Sequence, residues 1–303
     1  SGVDILKNYE DIAKLAKAYA TPNNEYYKNE KTREDIILAL DWLYENAYHE
    51  GVPENGNWWQ WELGIPKALN NILILMDEDV PAEKRMKYLK ASQYFQPYAK
   101  YSGSSPSAAY SSSPNKRVST GGNRMDTSII SFLRGVLMED KTQVLDGMTA
   151  VADVGEYVTS GDGFYRDGSF IQHKNVAYNG TYAAVLFDGL GSILWLIDGT
   201  EFKIEDSRID NVYESILNGY SYLMINGGVT DAVNGRAISR DKSSDLERGT
   251  ALLKTLILLS AGAPEEYKKD IQGLIKKVIE ENNSYDTVDE ICLLYTSDAA
   301  DDR

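Results

Sequence analysis

The sequence is poor in the side chains that usually bind metals. Its 303 residues include one cysteine, Cys292, and two histidines, His49 and His173. A single cysteine excludes an intrachain disulfide and a cysteine-based metal cluster. With two histidines, a histidine-rich metal site is not favoured either. The sequence therefore predicts neither a metal site nor a cofactor.

Long apolar runs and excess positive charge are also missing. No apolar run reaches the roughly 18 residues that a membrane-spanning helix needs, and the N-terminus lacks the hydrophobic region of a signal peptide. The formal net charge is −15, from 31 lysines and arginines against 46 aspartates and glutamates. Nucleic-acid binding proteins need a basic footprint, so the composition predicts no nucleic-acid partner and no membrane association. An acidic ligand would have to meet a local basic cleft.

The chain is rich in apolar residues at helical spacing and has little strand-like alternation. Ile36, Ile37 and Leu40 illustrate the pattern in the second predicted helix. Helices are predicted over 4–19, 33–48, 65–76, a stretch after Pro81, a stretch after Asp126 or Thr127, 142–158, 182–197, 207–225, 245–261 and 265–282. Ser244 and Glu247 form the capping-box pattern before the helix over 245–261. The predicted fold class is all-α, built from helical hairpins.

Two segments do not fit this helical pattern. Residues 102–122 are rich in serine, glycine and proline and are predicted to form a solvated loop. The tail, residues 292–303 with the sequence CLLYTSDAADDR, matches no helix face and is interpreted as non-native sequence. The predicted domain therefore covers residues 1–291.

The segment Gly161–Tyr182, GDGFYRDGSFIQHKNVAYNGTY, is the strongest candidate for a functional loop. Its Asp-Gly pairs favour turns, and His173 is predicted at the end of a long loop before a helix. A lone histidine is more often structural, but this one has tyrosines close by in sequence. Arg236 and Arg240, four residues apart, would share one face of a helix and bind an anion or pair with carboxylates.

Carboxylates offer a second possible chemistry. A pair of them at suitable separation would support glycoside hydrolysis. The candidates are Glu62, Asp126, Asp162 and Asp167. Sequence spacing selects no two of them.

Taken together, NWWQWELGIP, TGGNRMD, the segment Gly161–Tyr182 and NGRAISR resemble polysaccharide lyase family 8, which contains hyaluronate, chondroitin AC and xanthan lyases. The resemblance covers about residues 36–282. It implies an incomplete α/α toroid of antiparallel helical hairpins, truncated at its N-terminus and lacking the family's C-terminal β-sandwich domains. It also implies a secreted or cell-surface bacterial protein, whose partners are an acidic polysaccharide and the β-sandwich domains of a longer parent.

The resemblance further implies β-elimination at a uronic acid. Asn123 would hydrogen-bond the uronate carboxylate and stabilise the enolate-like intermediate. Either His173 or Tyr182 would remove the C5 proton, and Tyr182 is preferred for both proton transfers. Arg236 and Arg240 would lower the tyrosine pKa and hold acidic groups of the sugar.

The predicted substrate-binding residues are Trp58, Trp59, Arg124, Asn175 and Tyr178. The two tryptophans would stack on sugar rings. Hyaluronate lyases have an aromatic residue shortly before the asparagine, whereas this chain has the segment 115–118, NKRV. A basic lining from Lys116, Arg117, Arg124 and Lys174 is expected instead.

These features predict a lyase acting on hyaluronan or chondroitin. Xanthan is the alternative substrate within the family. A toroid glycoside hydrolase and a non-catalytic glycan-binding domain are the alternatives from other functional classes.

Overall fold

The computed structural model describes residues 1–103, 117–240 and 243–282, and these form two compact units. The first unit contains residues 1–119 and 126–150, and the second contains residues 120–125 and those from 151 onward. Lys116, most of the serine-rich segment and the tail 292–303 lie outside the described residues. The prediction of one domain over 1–291 stays a prediction.

The first unit is helical. Its helices are α1 (Gly2–Ala20), α2 (Glu30–Asn46), α3 (Ile65–Met76) and α4 (Ala82–Phe95), followed by most of α5 (Gly121–Leu137) and α6 (Lys141–Ala152). Strands β1 (Tyr101–Ser102) and β2 (Arg117–Val118) form a short antiparallel pair. In α3, Leu69, Leu73 and Met76 are fully buried. Their spacing of three to four residues forms one apolar face, which packs against α1.

The segment before α3 joins the core of the first unit through aromatic side chains. Trp61 is fully buried, and its indole N–H donates to the carbonyl of Asn55 at 2.9 Å. The ring of Tyr48 stacks on Phe95 at a centroid distance of 4.4 Å. The Tyr48 hydroxyl donates to the carbonyl of Trp61 at 2.9 Å. These contacts fix the segment that carries Trp58.

The second unit combines helices with short strands. Its strands are β3 (Gly163–Phe164), β4 (Phe170–Gln172), β5 (Val176–Ala177), β6 (Met224–Ile225) and β7 (Gly228–Val229). Its helices are α7 (Tyr182–Ile197), α8 (Asp210–Ser215) and α9 (Ser221–Leu223), all between β5 and β6, and, after β7, α10 (Asp245–Ala261) and α11 (Glu265–Glu281). Helices α7 and α10 pack closely at Gly191, where a Cβ would stand 2.9 Å from the backbone nitrogen of Leu259.

Several predicted helices are confirmed. The helices over 182–197 and 245–261 have the predicted bounds, and the capping box of Ser244 and Glu247 is present. The helix over 265–282 ends one residue early, at Glu281. None of the helices in the described residues is both long and apolar enough to cross a membrane.

Four local predictions are wrong. The helix predicted over 142–158 ends at Ala152 and is followed by a 3₁₀ turn. Helix α5 begins at Gly121 and not after Asp126. The predicted helix 207–225 is interrupted by a wider, π-helical turn over Ile216–Tyr220. The predicted long loop around His173 contains the antiparallel sheet β3–β4–β5, with β5 after the histidine, and its strands of two or three residues are too short to produce a visible alternation in sequence.

Candidate active site

His173 lies in the tight turn between β4 and β5. His173 and Lys174 have φ angles of 56° and 75°, a left-handed conformation that side chains with a Cβ rarely adopt. The backbone N–H of Lys174 donates to Oδ1 of Asp162 at 2.6 Å. The turn presents the imidazole on the surface, since His173 is exposed.

Tyr182 is the first residue of α7, and its hydroxyl meets the imidazole. The distance from His173 Nε2 to Tyr182 Oη is 3.0 Å. The two rings are perpendicular, with centroids 5.2 Å apart. Whether the imidazole or the phenol donates in this hydrogen bond depends on the histidine tautomer.

Arg236 supplies a cation beside the same phenol. Its Nη2 lies 3.5 Å from Tyr182 Oη, and its backbone N–H donates to the hydroxyl of Tyr178 at 3.3 Å. Arg236 belongs to a 3₁₀ segment, Gly235–Ser239, that begins with a φ of 51° at Gly235. A Cβ at Gly235 would stand 2.1 Å from the ring of Tyr178, so this approach requires glycine.

Asn123 is half-buried in the first turn of α5. The preceding residue, Gly122, lies against the start of α7, where a Cβ would stand 2.9 Å from the carbonyl oxygen of Tyr182. The N–H of Gly122 also donates to Oε1 of Gln172 at 3.3 Å. The turn that carries Asn123 is therefore fixed to the elements that carry Tyr182 and His173.

The structure thus brings His173, Tyr182 and Arg236 together from separate segments of the second unit. For Asn123 it shows only that the backbone of the preceding Gly122 lies against Tyr182, so the role predicted for its side chain stays a prediction. Arg240 follows the 3₁₀ segment in an extended conformation. A 3₁₀ helix has three residues per turn, so the predicted sharing of one helix face by Arg236 and Arg240 is wrong. The role predicted for Arg240 stays a prediction.

Two predicted substrate contacts do not fit the structure. Arg124 is 3% exposed and forms an ion pair with Asp153 at 2.6 Å, so it does not line an open surface. Tyr178 is also 3% exposed, and its ring packs edge-on against Tyr182 at 4.8 Å between centroids. Tyr178 therefore packs against the ring of Tyr182 and does not offer its own surface to a ligand. Asn175, in contrast, is exposed in the turn after His173.

Trp58 and Trp59 lie in the first unit, and both are half-buried. The guanidinium of Arg117 lies over the ring of Trp58, 4.3 Å from its centroid. Arg117 is exposed, and its Nε donates to Oγ of Ser102 at 3.1 Å. Trp59 packs against the core. Stacking of sugars on these rings stays a prediction, and a cation covers one face of Trp58.

Three of the four acidic candidates for a hydrolytic pair differ from one another in their contacts and burial. Asp126 pairs with Lys67 at 2.5 Å, and Asp167 accepts hydrogen bonds from Ser169 in its own turn. Glu62 is fully buried. Burial above all, then the nearby Glu54, raises the pKa of Glu62 to about 8. Its position near three tryptophans was the only sequence signal for this burial.

A family model described as polysaccharide lyase family 8, N-terminal alpha-helical domain, matches residues 1–277. A hyaluronate lyase of Enterococcus faecalis is 32% identical over 289 residues, which are 93% of this chain and 28% of the relative. A xanthan lyase of a Bacillus species is 32% identical over 277 residues, or 90% of this chain and 28% of the relative.

Solved structures of lyases also match this chain. A Paenibacillus xanthan lyase has a TM-score of 0.83 at 29% identity, covering 94% of this chain and 26% of that protein. A Streptomyces coelicolor chondroitin AC lyase, in complex with chondroitin sulphate, has a TM-score of 0.82 at 33% identity, covering 92% and 38%. The predicted fold class, all-α with the α/α-toroid fold of these lyases, is confirmed. The chain spans roughly a quarter to two-fifths of these relatives.

Proposed function

Because the chain belongs to polysaccharide lyase family 8, we propose that its second unit carries the proton-transfer centre of a lyase that cleaves acidic polysaccharides by β-elimination at a uronic acid. One observation carries the proposal: His173 Nε2 and Tyr182 Oη lie 3.0 Å apart. Arg236 Nη2 lies 3.5 Å from the same phenol oxygen. An imidazole, a phenol and a guanidinium at one exposed turn can move a proton and balance negative charge.

The chemistry starts at the uronate carboxylate. An ionised carboxylate makes the neighbouring C5 proton a very weak acid, because removing it would place a second negative charge on the same group. The side-chain amide of Asn123 donates to the carboxylate and stabilises the enolate-like intermediate. Donors of this type are worth roughly 3–4 kcal/mol in comparable oxyanion sites.

Proton transfer then runs through Tyr182. Its phenolate removes the C5 proton, with His173 holding the oxygen and Arg236 balancing its charge. The bond between C4 and the glycosidic oxygen breaks, a C4–C5 double bond forms, and the phenol returns the proton to the leaving oxygen. The sugar gains an unsaturated uronate, and no water is consumed.

Hyaluronan or chondroitin is the proposed substrate. The relatives named hyaluronate lyase and the structure of a chondroitin AC lyase support this choice. Xanthan is the second candidate, favoured by the relatives named xanthan lyase. We propose that the reaction occurs outside the cell, where such polysaccharides are found.

The test is Tyr182→Phe. Loss of the hydroxyl removes the group that carries the proton, so we expect no detectable elimination and unchanged polysaccharide binding. Ultraviolet absorbance of the unsaturated uronate measures elimination on hyaluronan, chondroitin and xanthan, and calorimetry measures binding. Tyr222→Phe is the matched control, because Tyr222 is 78% exposed.

Three outcomes would contradict the proposal. Full turnover by Tyr182→Phe would remove the tyrosine from the mechanism. New reducing ends without the ultraviolet signal would identify a hydrolase. Binding without any product from the unsubstituted protein would identify a glycan-binding domain.

A further inference from the structure

The carboxylate of Asp162 collects hydrogen bonds from separate segments of the second unit. Its Oδ1 accepts the backbone N–H of Lys174 at 2.6 Å. Its Oδ2 accepts the hydroxyl of Thr120 at 2.8 Å and Nε2 of Gln172 at 2.9 Å. Asp162 therefore joins the turn that holds His173 to the residue just before α5.

Gln172 makes the matching connection from β4. It is 1% exposed, and its Oε1 accepts the N–H of Gly122 at 3.3 Å while its Nε2 donates to Asp162. A Cβ at Gly121 would stand 2.1 Å from Oε1 of Gln172, so the backbone of α5 presses on this amide. Gln172 directly precedes His173, and Gly122 directly precedes Asn123. One buried side chain thus ties together the backbone beside two of the proposed active residues.

The turn at His173 needs such support. His173 and Lys174 both have positive φ angles, and such a conformation persists only where the surroundings impose it. The hydrogen bond from Lys174 N–H to Asp162 is the contact that fixes the second of these residues. This turn presents the imidazole that meets Tyr182 at 3.0 Å.

We propose that Asp162 and Gln172 are a positioning pair that holds Asn123 and His173 in their reactive arrangement. Neither is proposed to touch the substrate. The inference rests on the function proposed above, because it assigns both residues to the same elimination. It predicts that reversing the donor and the acceptor within the pair restores what each single change disturbs.

Exchanging the two polar groups tests this directly. Asp162→Asn leaves one acceptor oxygen where the carboxylate offers two, so an NH₂ group then faces either Nε2 of Gln172 or the N–H of Lys174. Gln172→Glu sets two carboxylates against each other. We expect each single variant to lower kcat by about 10- to 100-fold with KM within about twofold of the unsubstituted value. The double variant again places one donor opposite one acceptor, and we expect it to recover most of kcat.

A second measurement reports on the surroundings of the His173 imidazole and does not depend on catalysis. The sequence has two histidines, so the imidazole ¹⁵N spectrum contains His49 and His173 alone. We expect the His173 signals to move in each single variant and to return in the double variant. His49, which lies in the first unit, is the internal reference.

Asp167→Asn is the matched control. Asp167 belongs to the same segment, and its carboxylate accepts hydrogen bonds from Ser169 within its own turn. We expect unchanged kcat and unchanged His173 signals. If a single variant fails to fold, Thr120→Val removes one donor to Asp162 and is expected to shift the His173 signals in the same direction with a smaller loss of kcat.

The outcomes separate this inference from the proposed function. Unchanged kcat in both single variants would overturn the positioning pair, and so would a double variant as slow as the single ones. If the unsubstituted protein yields no unsaturated product from any substrate, the proposed function fails. In that case the ¹⁵N spectra alone test the positioning role of Asp162 and Gln172. His173 signals that do not move in either single variant would overturn that role.

Discussion

Glu62 is a buried carboxyl group whose protonation links the stability of the first unit to pH. Burial is the first cause of its raised pKa, and the nearby Glu54 is the second. The N–H of Gly103, which donates to Oε2 at 2.6 Å, and the charge of Arg117 act in the opposite direction. Near neutral pH the carboxyl group is therefore mostly protonated.

The raised pKa predicts that stability falls as pH rises. The pKa of Glu62 is about 8 in the folded chain against an ordinary value of 4.5. Between these values the folded state holds a proton that the unfolded state releases, so the free energy of unfolding decreases with rising pH. Glu62→Gln removes this dependence, and we expect a stability gain of a few kcal/mol over the unsubstituted chain at the upper end of the window.

Thermal unfolding at the two ends of the window measures the effect. We expect the Tm advantage of Glu62→Gln to grow as pH rises, because only the unsubstituted chain must take up a proton at residue 62 when it folds. Glu25→Gln, at an exposed position of the same unit, is the control and should show no such growth. An advantage that stays constant with pH would contradict the assignment.

At the scale of elements, the close approach of α5 to α7 depends on Gly122. A Cβ there would stand 2.9 Å from the backbone oxygen of Tyr182, and neither backbone can move freely. We expect Gly122→Ala to destabilise the chain by about 1–3 kcal/mol and to lower kcat, although alanine favours helices. Denaturant unfolding and the elimination assay measure both effects.

Gly273→Ala, in α11, is expected to have the opposite effect on stability. Nothing lies within 4 Å of a Cβ built at Gly273, so the higher helix propensity of alanine acts alone. We expect a stability gain of about 1 kcal/mol and unchanged kcat. Equal effects of the two substitutions would mean that the approach to Tyr182 is not tight.

The elements differ in how far the sequence predicts them. Helices α7 and α10 were predictable because long apolar stripes and a capping box lie within one segment of sequence. The start of α5 was not, since Gly121 and Gly122 suggest a break, and only the contacts with Gln172 and Tyr182 explain them. The sheet around His173 was missed because its strands are set by tertiary contacts rather than by alternation.

At the scale of the whole molecule, four short segments predicted the family, and the family model matches both units. The division into two units was not predictable, because it follows from contacts between segments far apart in sequence. The burial of Arg124 was not predictable either. Its ion pair with Asp153 joins residues 29 positions apart, and sequence spacing does not reveal such a pair.

Arg117 belongs to the first unit, so substituting it tests whether that unit takes part in binding the polysaccharide. The chain carries a net charge of −15, so an acidic polysaccharide must meet local cations. Arg117 is exposed and held over Trp58. We expect Arg117→Ala to raise KM by about 3- to 10-fold on an acidic polysaccharide with kcat unchanged, the pattern of a lost binding contact.

Steady-state kinetics at fixed ionic strength measure this effect. Arg85→Ala is the control, because Arg85 belongs to the same unit and pairs with Asp77. A KM for Arg117→Ala equal to that of the control would remove Arg117 from the basic lining that the sequence predicts.

The glycines around the candidate active site also decide where the protein can be re-engineered. Gly121, Gly122 and Gly235 have no room for a methyl group, since a Cβ at each would stand 2.1, 2.9 and 2.1 Å from a neighbouring atom. Saturation mutagenesis at these positions, selected for unreduced stability and kcat, should return glycine alone. Lys174 and Asn175 project from the same turn as His173 and are exposed. We expect a library directed at those two side chains to alter the sugar preference of the proposed activity while the backbone of the turn keeps its shape.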